Sequence, residues 1–490
     1  MFPSQTSFIP IQIALAKFVE ENGFWAIFGN YPYWYLGTTP FRYLTGPILP
    51  SILVLLHKLI PSFSLFEIMW GLIAIFWLIG AAGVYFLVRE LKREGLVAIL
   101  AATFYFFGPI VPFLFRFSDG LYLISFSFLP FVLLVYFKLL RGWTRTRVIF
   151  CIIMISFIIL LDILIIPTLF LGMVTIFLVT AGWKKAEEKI KQTFLIFTFS
   201  FLISTFWYTP GYWWQIITAP SLAGKGFFSV LTMIGQLLPA ALAMTLAALS
   251  VKFFKEKNLL RDFCFYWLFI FGFLTLIRFI SDPDFWLDWS RYGTELQLGI
   301  AIGLGVFTNN FLTTLKPRIS LCRSNEAEKK FNVSGLLSVS VVLIFIFGVW
   351  FLLFNKYVLM TLQRDIKSTV EYRIGNQLSQ LAKPRERVFL SGTTAFWLNT
   401  FFNIPQVRGG RDQASVHPSW RQAVWEVREG TEVEKSLKWL RELEVKYLVV
   451  HTEESEEFYH DFVYPEKFEN VSGLVKLHEE RGDRIYRVEY

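Results

Sequence analysis

Long apolar stretches alternate with short polar ones along the first 354 residues. Runs long enough to cross about 30 Å of hydrocarbon occupy 65–88, 95–115, 121–140, 190–210, 228–251, 263–280, 292–312 and 335–354. The stretch 148–181 is too long for one crossing, and Asp162 and Pro167 interrupt it near the middle, which predicts a tight hairpin of two short helices. That makes ten crossings. Ahead of them, Ile9 to Glu21 carries the apolar stripe of an interfacial amphipathic helix. A turn-rich aromatic loop follows from Tyr31 to Pro40, and then an apolar segment, 44–60, broken by Pro47 and Pro50. That segment is either an eleventh span or a helix lying along the surface.

After residue 355 the pattern changes. A linker helix is expected over 356–381, then a strand from Arg387, a helix over Glu432–Glu442, a buried strand over Val445–His451, and two strands around Arg481-Gly-Asp483. The fold class is therefore mostly α, a polytopic bundle of ten or eleven membrane helices followed by a small extracytoplasmic α/β domain. The boundaries are 1–60 for an extracytoplasmic segment, 61–355 for the membrane domain, 356–382 for the linker and 383–490 for the α/β domain.

Composition agrees: 54% of the 490 residues are hydrophobic, with 54 Phe, more than one or two water-soluble cores can hide. Residues 1–354 hold 27 Lys+Arg against 17 Asp+Glu, whereas 355–490 hold 20 against 21. The positive excess belongs to the apolar part, so it reads as a membrane-orientation signal and not as a nucleic-acid surface. The connections 89–94, 138–147, 183–191, 252–261 and 316–330 carry 3, 4, 4, 4 and 5 Lys/Arg, and the alternating ones carry Arg116, Lys225 and Arg291, with Arg278 near a helix end. By the positive-inside rule the basic connections are cytoplasmic. The segments 116–120, 211–227 and 281–291 and the whole tail then face outward, in a multi-pass protein of the cell membrane. Aromatic residues gather at two of those segments, Trp207 to Trp214 and Phe285 to Trp289, as an interfacial belt or as a platform for a lipid-linked or glycan substrate. Met1 to Glu21 lacks the charged start and apolar run of a cleavable signal peptide. Cys151, Cys264 and Cys322 offer neither a disulfide framework nor zinc-ligand spacing.

The order of these features resembles a known architecture. An aromatic loop holding Gly37-x-x-Pro40 leads to a helix ending Tyr85-Phe-Leu-Val-Arg89, and then to Gly95-Leu-Val-Ala running to Gly108-Pro109. Arg116-Phe-Ser-Asp119 follows, then Phe206-Trp-Tyr-Thr-Pro-Gly211 and Ser290-Arg291-Tyr292 entering a Gly-rich helix. The pattern resembles the GT-C superfamily of integral-membrane glycosyltransferases, nearest the prokaryotic membrane proteins labelled 6-pyruvoyl-tetrahydropterin synthase-related. The resemblance implies a lipid-linked sugar donor carried on polyprenyl phosphate, membrane lipids as surroundings, and inverting transfer to an acceptor at the outer face. It also implies a catalytic carboxylate on a long first outer loop behind a first helix, and a further acid on the second. Asp119 matches the second position. The first helix and first carboxylate have no counterpart, since residues 1–43 contain no Asp. A misplaced start or a lost catalytic base would each explain that.

Such chemistry needs a carboxylate at the acceptor, cationic groups or a metal at the departing phosphate, and a cavity reaching the lipid. Asp119 beside Arg116 is either the acceptor- or metal-contacting acid or an exposed loop pair without function. Asp162 within Ile158–Pro167 is costly in lipid and marks either a substrate contact or polarity between helices. Asp282 and Asp284, with Asp288, form an acidic outer segment able to help hold Mg²⁺ or Mn²⁺, or a plain surface turn. Arg291 suits a phosphate or anchors its helix at the headgroups. Glu295 lies one turn deeper, where it can pair with Arg291, and Arg278 can face the same cavity; ordinary packing accounts for either equally well.

Four of the five His, namely His417, His451, His460 and His478, lie in the tail without ligand spacing, and surface or packing roles are expected. Gly409-Gly410-Arg411-Asp412, with His417 and Trp420, is the best patch there for an acceptor or partner. Two other function classes remain. One is a catalytically inactive GT-C scaffold serving binding or assembly of surface glycans. The other is a transporter or lipid-handling protein, disfavoured because the one broken segment has no partner in a second repeat.

Overall fold

The computed structural model describes residues 2–3, 9–37, 39–92, 94–108, 110–117, 119–180, 186–218, 231, 235, 238–251, 258–280, 292–320, 348–349, 351–353, 355–356, 362–363, 365–410, 415 and 417–490. Most of 228–237, the first part of the span expected over 228–251, and most of the span expected over 335–354 fall outside that set, as do residues 252–257, 281–291 and 321–334.

The chain opens with a two-residue strand β1 (Phe2–Pro3) and helix α1 (Ile9–Asn22). An aromatic 3-10 turn (Phe24–Phe28) and the short ladder β2 (Asn30–Tyr31) with β3 (Thr39–Pro40) follow. Helix α2 (Ile48–Leu59) has twelve residues, about 18 Å of rise, too short for a crossing. It packs on α1 and on α3 (Leu65–Lys92). Next come α4 (Gly95–Phe107), α5 (Val111–Phe117) and α6 (Gly120–Arg141). The single span expected over 95–115 is thus two helices. Gly108 takes an extended conformation (φ −63°, ψ 151°), as a residue before proline is driven to do.

The hairpin expected within 148–181 is present. Helix α7 (Arg145–Leu161) stops at Asp162, a 3-10 turn spans Ile163–Ile165, and α8 (Ile166–Thr180) returns. The bundle continues with α9 (Ala186–Ser204), α10 (Pro210–Thr218), α11 (Leu238–Val251), α12 (Leu259–Ile280) and α13 (Gly293–Ser320). Among the described residues four helices are long and apolar enough to cross a membrane unaided: Leu65–Lys92, Gly120–Arg141, Ile163–Thr180 and Leu259–Leu276. This is a multi-pass membrane protein.

One end of the bundle carries the basic residues at the ends of α3 and α6. There Glu90 of α3 meets Lys138 (3.7 Å) and Arg141 (3.8 Å) of α6, and Asn309 of α13 donates to Glu94 (3.3 Å). The opposite end carries α1 and the tail: Phe66, at the start of α3, lies 6.0 Å from the Trp397 ring.

The tail begins with β4 (Leu362–Gln363), paired with β1, and α14 (Val370–Leu381). The continuous linker helix expected over 356–381 is interrupted because Thr369 Oγ1 accepts from the Tyr372 N–H and starts a fresh helix there. Then follow β5 (Arg387–Phe389), α15 (Gly392–Phe401), α16 (Trp420–Glu429), α17 (Val433–Glu442), β6 (Val445–His451), β7 (Leu474–Glu480) and β8 (Asp483–Val488). Strand order is β5-β6-β8-β7, parallel between β5 and β6 and antiparallel elsewhere. Alternation along β6 sends Tyr447 and Val449 towards α14 and α15, and Leu448 and Val450 towards α16 and α17. The result is a three-layer α/β unit.

The N-terminal segment is built into that unit. Tyr35 N–H donates to Arg408 O (3.2 Å), Gln406 N–H to Tyr33 O (2.8 Å), and Lys17 Nζ to Phe401 O (3.1 Å). Helix α1, expected at a membrane interface, is buried along most of its length against α15, α2 and α3. Its apolar stripe is consumed by protein and not by lipid.

Candidate functional site

Three acids singled out in the sequence stand at one end of the bundle, the end bearing α1. Asp119 opens α6, Asp162 sits at the α7–α8 break, and Glu295 lies in the first turn of α13. They are 4%, 1% and 0% exposed.

Asp119 Oδ1 accepts from the Leu121 N–H at 3.0 Å, a helix N-cap that an acid also favours through the helix dipole. Its neighbour Gly120 is pressed against Met69 and Ile73 of α3 and Ile9 of α1. Of the two readings of Asp119, an exposed loop acid does not hold: α5 and α6 nearly abut and the carboxylate is buried, with Ile9 of α1 beside Gly120. The Arg116 backbone belongs to α5, and its side chain lies outside the described set.

Asp162 Oδ1 accepts from the Leu164 N–H at 3.1 Å and so starts the turn into α8. The loop at Gly46 lies against the carbonyls of Leu160 and Leu161, so close that no Cβ fits. Next to it Thr45 Oγ1 donates to Gln12 Oε1 (3.1 Å), and Trp207 Nε1 donates to Thr45 O (3.1 Å). One residue thereby links α1 with the region just past α9.

Glu295 is held from two helices. Its Oε1 accepts from Thr168 Oγ1 of α8 at 2.6 Å and from the Tyr122 hydroxyl of α6 in a closer contact. Tyr122 and Thr168 are themselves 2.9 Å apart, and Trp267 Nε1 of α12 donates to the Glu295 carbonyl at 2.7 Å. Tyr122 lies three residues from Asp119, so the capped acid and the Glu295 cluster share one turn of α6. Gln297 Nε2, half a turn further along α13, donates to Phe104 O (2.8 Å) at the end of α4.

Arg291, Asp282 and Asp284 lie outside the described residues, as does the Arg278 side chain. Among the described residues no three His, Cys, Asp or Glu side chains converge to hold a metal ion. The Tyr122–Thr168–Glu295 contact had no signal in sequence beyond an acid inside an apolar helix.

The tail holds two polar clusters, one buried and one partly buried, that sequence spacing concealed. His451 Nδ1 meets Asp483 Oδ1 at 2.7 Å, His451 Nε2 meets Thr394 Oγ1 at 3.1 Å, and Ser455 Oγ donates to Asp483 at 2.5 Å. All four side chains are buried, so this is polar packing and not an accessible reaction centre. In the second cluster Asp461 accepts from Arg408 (2.8 Å), Arg428 (3.2 Å), the Gly392 N–H (3.1 Å) and, closer still, Ser391. Burial pushes its pKa up, but the two guanidinium groups and the Ser391 hydroxyl outweigh that and hold it at about 2.

The patch expected at Gly409-Gly410 and Trp420 is an internal seam. Gly409 and Gly410 abut Trp34 and Ile11, while Trp420 Nε1 donates to Val407 O (2.7 Å) and the ring meets Tyr35 edge-on at 5.5 Å. Arg411 and Asp412 are outside the described residues.

Solved structures share this arrangement of bundle and tail. ArnT from Cupriavidus metallidurans, bound to undecaprenyl phosphate, matches 99% of this chain and 94% of its own at 12% identity (TM-score 0.50). The archaeal oligosaccharyltransferase AglB from Archaeoglobus fulgidus, solved with an inhibitory peptide and a dolichol-phosphate, matches 92% at 10% identity (TM-score 0.50). The mycobacterial arabinofuranosyltransferase AftD matches 100% at 15% identity (TM-score 0.50). The chain shares the fold of these structures. It spans 66% of the length of that AglB chain and 40% of AftD. No family model and no curated protein matches the sequence.

Proposed function

We propose that this chain is a membrane glycosyltransferase of GT-C type that moves a sugar from a polyprenyl-phosphate donor to an acceptor at the outer membrane face. One observation carries the reading: the GT-C fold brings Asp119, Asp162 and Glu295 to the end of the bundle roofed by α1 and the tail. An outward orientation of that end, tail included, is supported by the positive-inside rule applied to the twenty Lys/Arg of the five basic connections. In this reading Asp119 takes the proton from the acceptor hydroxyl as the glycosidic bond forms, and the lipid phosphate leaves with its bonding electrons. Arg116 and Arg291 take up charge on that phosphate, and Asp162 and Glu295 shape the site. In the same reading Asp282 and Asp284 would hold Mg²⁺ or Mn²⁺, which would take up further charge on the leaving phosphate.

A second reading, a GT-C scaffold without transferase activity, draws on the burial of Asp119 and its use as a helix cap. The two separate in one assay. Purified protein in lipid nanodiscs receives a panel of radiolabelled polyprenyl-phosphate sugars and membrane extract as acceptor source. Asp119→Asn keeps the cap, since Asn caps as well as Asp, and removes the base, so transfer should fall about 100-fold or more. Transfer that persists in Asp119→Asn would overturn the assignment of the base. No transfer by the unaltered chain with any donor would favour the scaffold.

A further inference from the structure

Helix α1 spends its apolar face on the tail and the bundle, yet the residues after it present the opposite. In the turn Phe24–Phe28, the Phe24, Trp25 and Phe28 side chains are 53%, 79% and 44% exposed. The rings form a chain: Phe24 to Trp25 at 6.1 Å, Trp25 to Phe28 at 5.7 Å, and Phe28 edge-on to Trp207 at 5.7 Å. Trp207 lies just past α9. The nineteen residues of α9 rise about 28 Å, close to the roughly 30 Å of a hydrocarbon core. Its residues Phe194, Phe199 and Leu202, with Phe206 beyond its end, are exposed large apolar side chains within the apolar run 190–210, which points to a lipid-facing stripe. Through Phe28 and Trp207 the aromatic turn continues that stripe past the end of α9.

We propose that the Phe24–Phe28 turn is a membrane anchor, seated in the headgroup region of the leaflet at the α1 end of the bundle. Indole and phenyl rings suit that depth, because an apolar body meets hydrocarbon while the indole N–H meets water and headgroups. The base of the turn is clamped. Gly23 supplies a positive φ of 83° to leave α1, Gly29 N–H bonds to Ala26 O (3.1 Å), and Phe41 N–H bonds to Gly29 O (2.9 Å). The same segment then bonds to the tail through Tyr33 and Tyr35. An anchor in that position fixes the height of the α/β unit above the lipid. The inference needs a membrane protein but no transferase activity, so it stands or falls apart from the proposed function.

The test uses the full chain in nanodiscs. Trp25→Cys is made in a Cys322→Ser background, with Cys151 and Cys264 buried, and labelled with an environment-sensitive fluorophore. A Tyr490→Cys label at the exposed end of the tail is the control. The label at 25 should emit blue-shifted, and nitroxide lipids labelled at the headgroup should quench it several-fold more than those labelled near the chain end. Emission and aqueous iodide quenching matching the control would overturn the anchor. Strongest quenching by the deep nitroxide would overturn its interfacial depth. Phe24→Cys supplies the same readout if Trp25→Cys does not fold.

Discussion

Trp34 Nε1 donates to Asn399 Oδ1 at 2.8 Å, joining two buried side chains 365 positions apart. Asn399 does more than accept. The same oxygen takes a bond from Gln406 Nε2 (2.7 Å), and its amide nitrogen donates to Phe402 O (3.1 Å) and Ile404 O (2.9 Å). Asn399→Ala strands several buried polar groups at once and should destabilise the protein by about 2–4 kcal/mol. Asn403→Ala, which removes an exposed bond to Glu21, should change stability by less than about 0.5 kcal/mol. Thermal unfolding in detergent, followed by intrinsic fluorescence, compares the two.

Acid should loosen the tail through Asp461. Its carboxyl is held at about 2, below the ordinary value of 3.8. A depressed acid adds stability above its unfolded pKa and loses it as pH falls through the folded one. The contribution, about 2 kcal/mol, is thus complete at neutral pH and disappears between pH near 4 and pH near 2. Asp461→Asn should be less stable than the unaltered protein at pH 7, and the gap should close over that window. A gap that stays constant down to pH 2 would contradict the ion-pair origin.

Much of the bundle was legible because membrane helices are written locally. Each apolar run must satisfy its own backbone bonds, and the break at Asp162 announced itself as an acid and a proline in one run. The strands at Val445–His451 and either side of Arg481 were legible for the same local reason. Long-range partners were not. The stripe along α1 showed two-sidedness but not which surface covers it, and a helix against α15 reads like a helix against lipid. Tyr122, Thr168 and Glu295 come from three separate helices, and no spacing in the chain signals that they meet. His451, Thr394 and Asp483 were invisible as a group for the same reason.

Gly46 should tolerate no side chain. A Cβ there would enter the carbonyl oxygens of Leu160 and Leu161, where two backbones meet and neither is the movable end of a side chain. Gly46→Ala should cost about 2 kcal/mol or more and lower the monodisperse fraction in size-exclusion chromatography. Gly95→Ala, with nothing near its Cβ, should leave that fraction unchanged.

The Glu295 cluster makes the last prediction, and its size follows from its partners. Glu295→Leu removes the acceptor for Thr168 Oγ1 and Tyr122 OH, but those hydroxyls lie 2.9 Å apart and retain one bond between them. The loss should therefore be moderate, about 1–3 kcal/mol. Glu295→Gln keeps an acceptor oxygen in place and should cost less. Tyr122→Phe leaves the Thr168 bond to Glu295 intact and should fall between the two. A double-mutant cycle of Tyr122→Phe with Glu295→Leu, which does remove the acceptor, read by thermal unfolding, should give a coupling energy above about 0.5 kcal/mol. Additive effects would mean that the contact between α6 and α13 contributes nothing, leaving packing alone to hold those helices together.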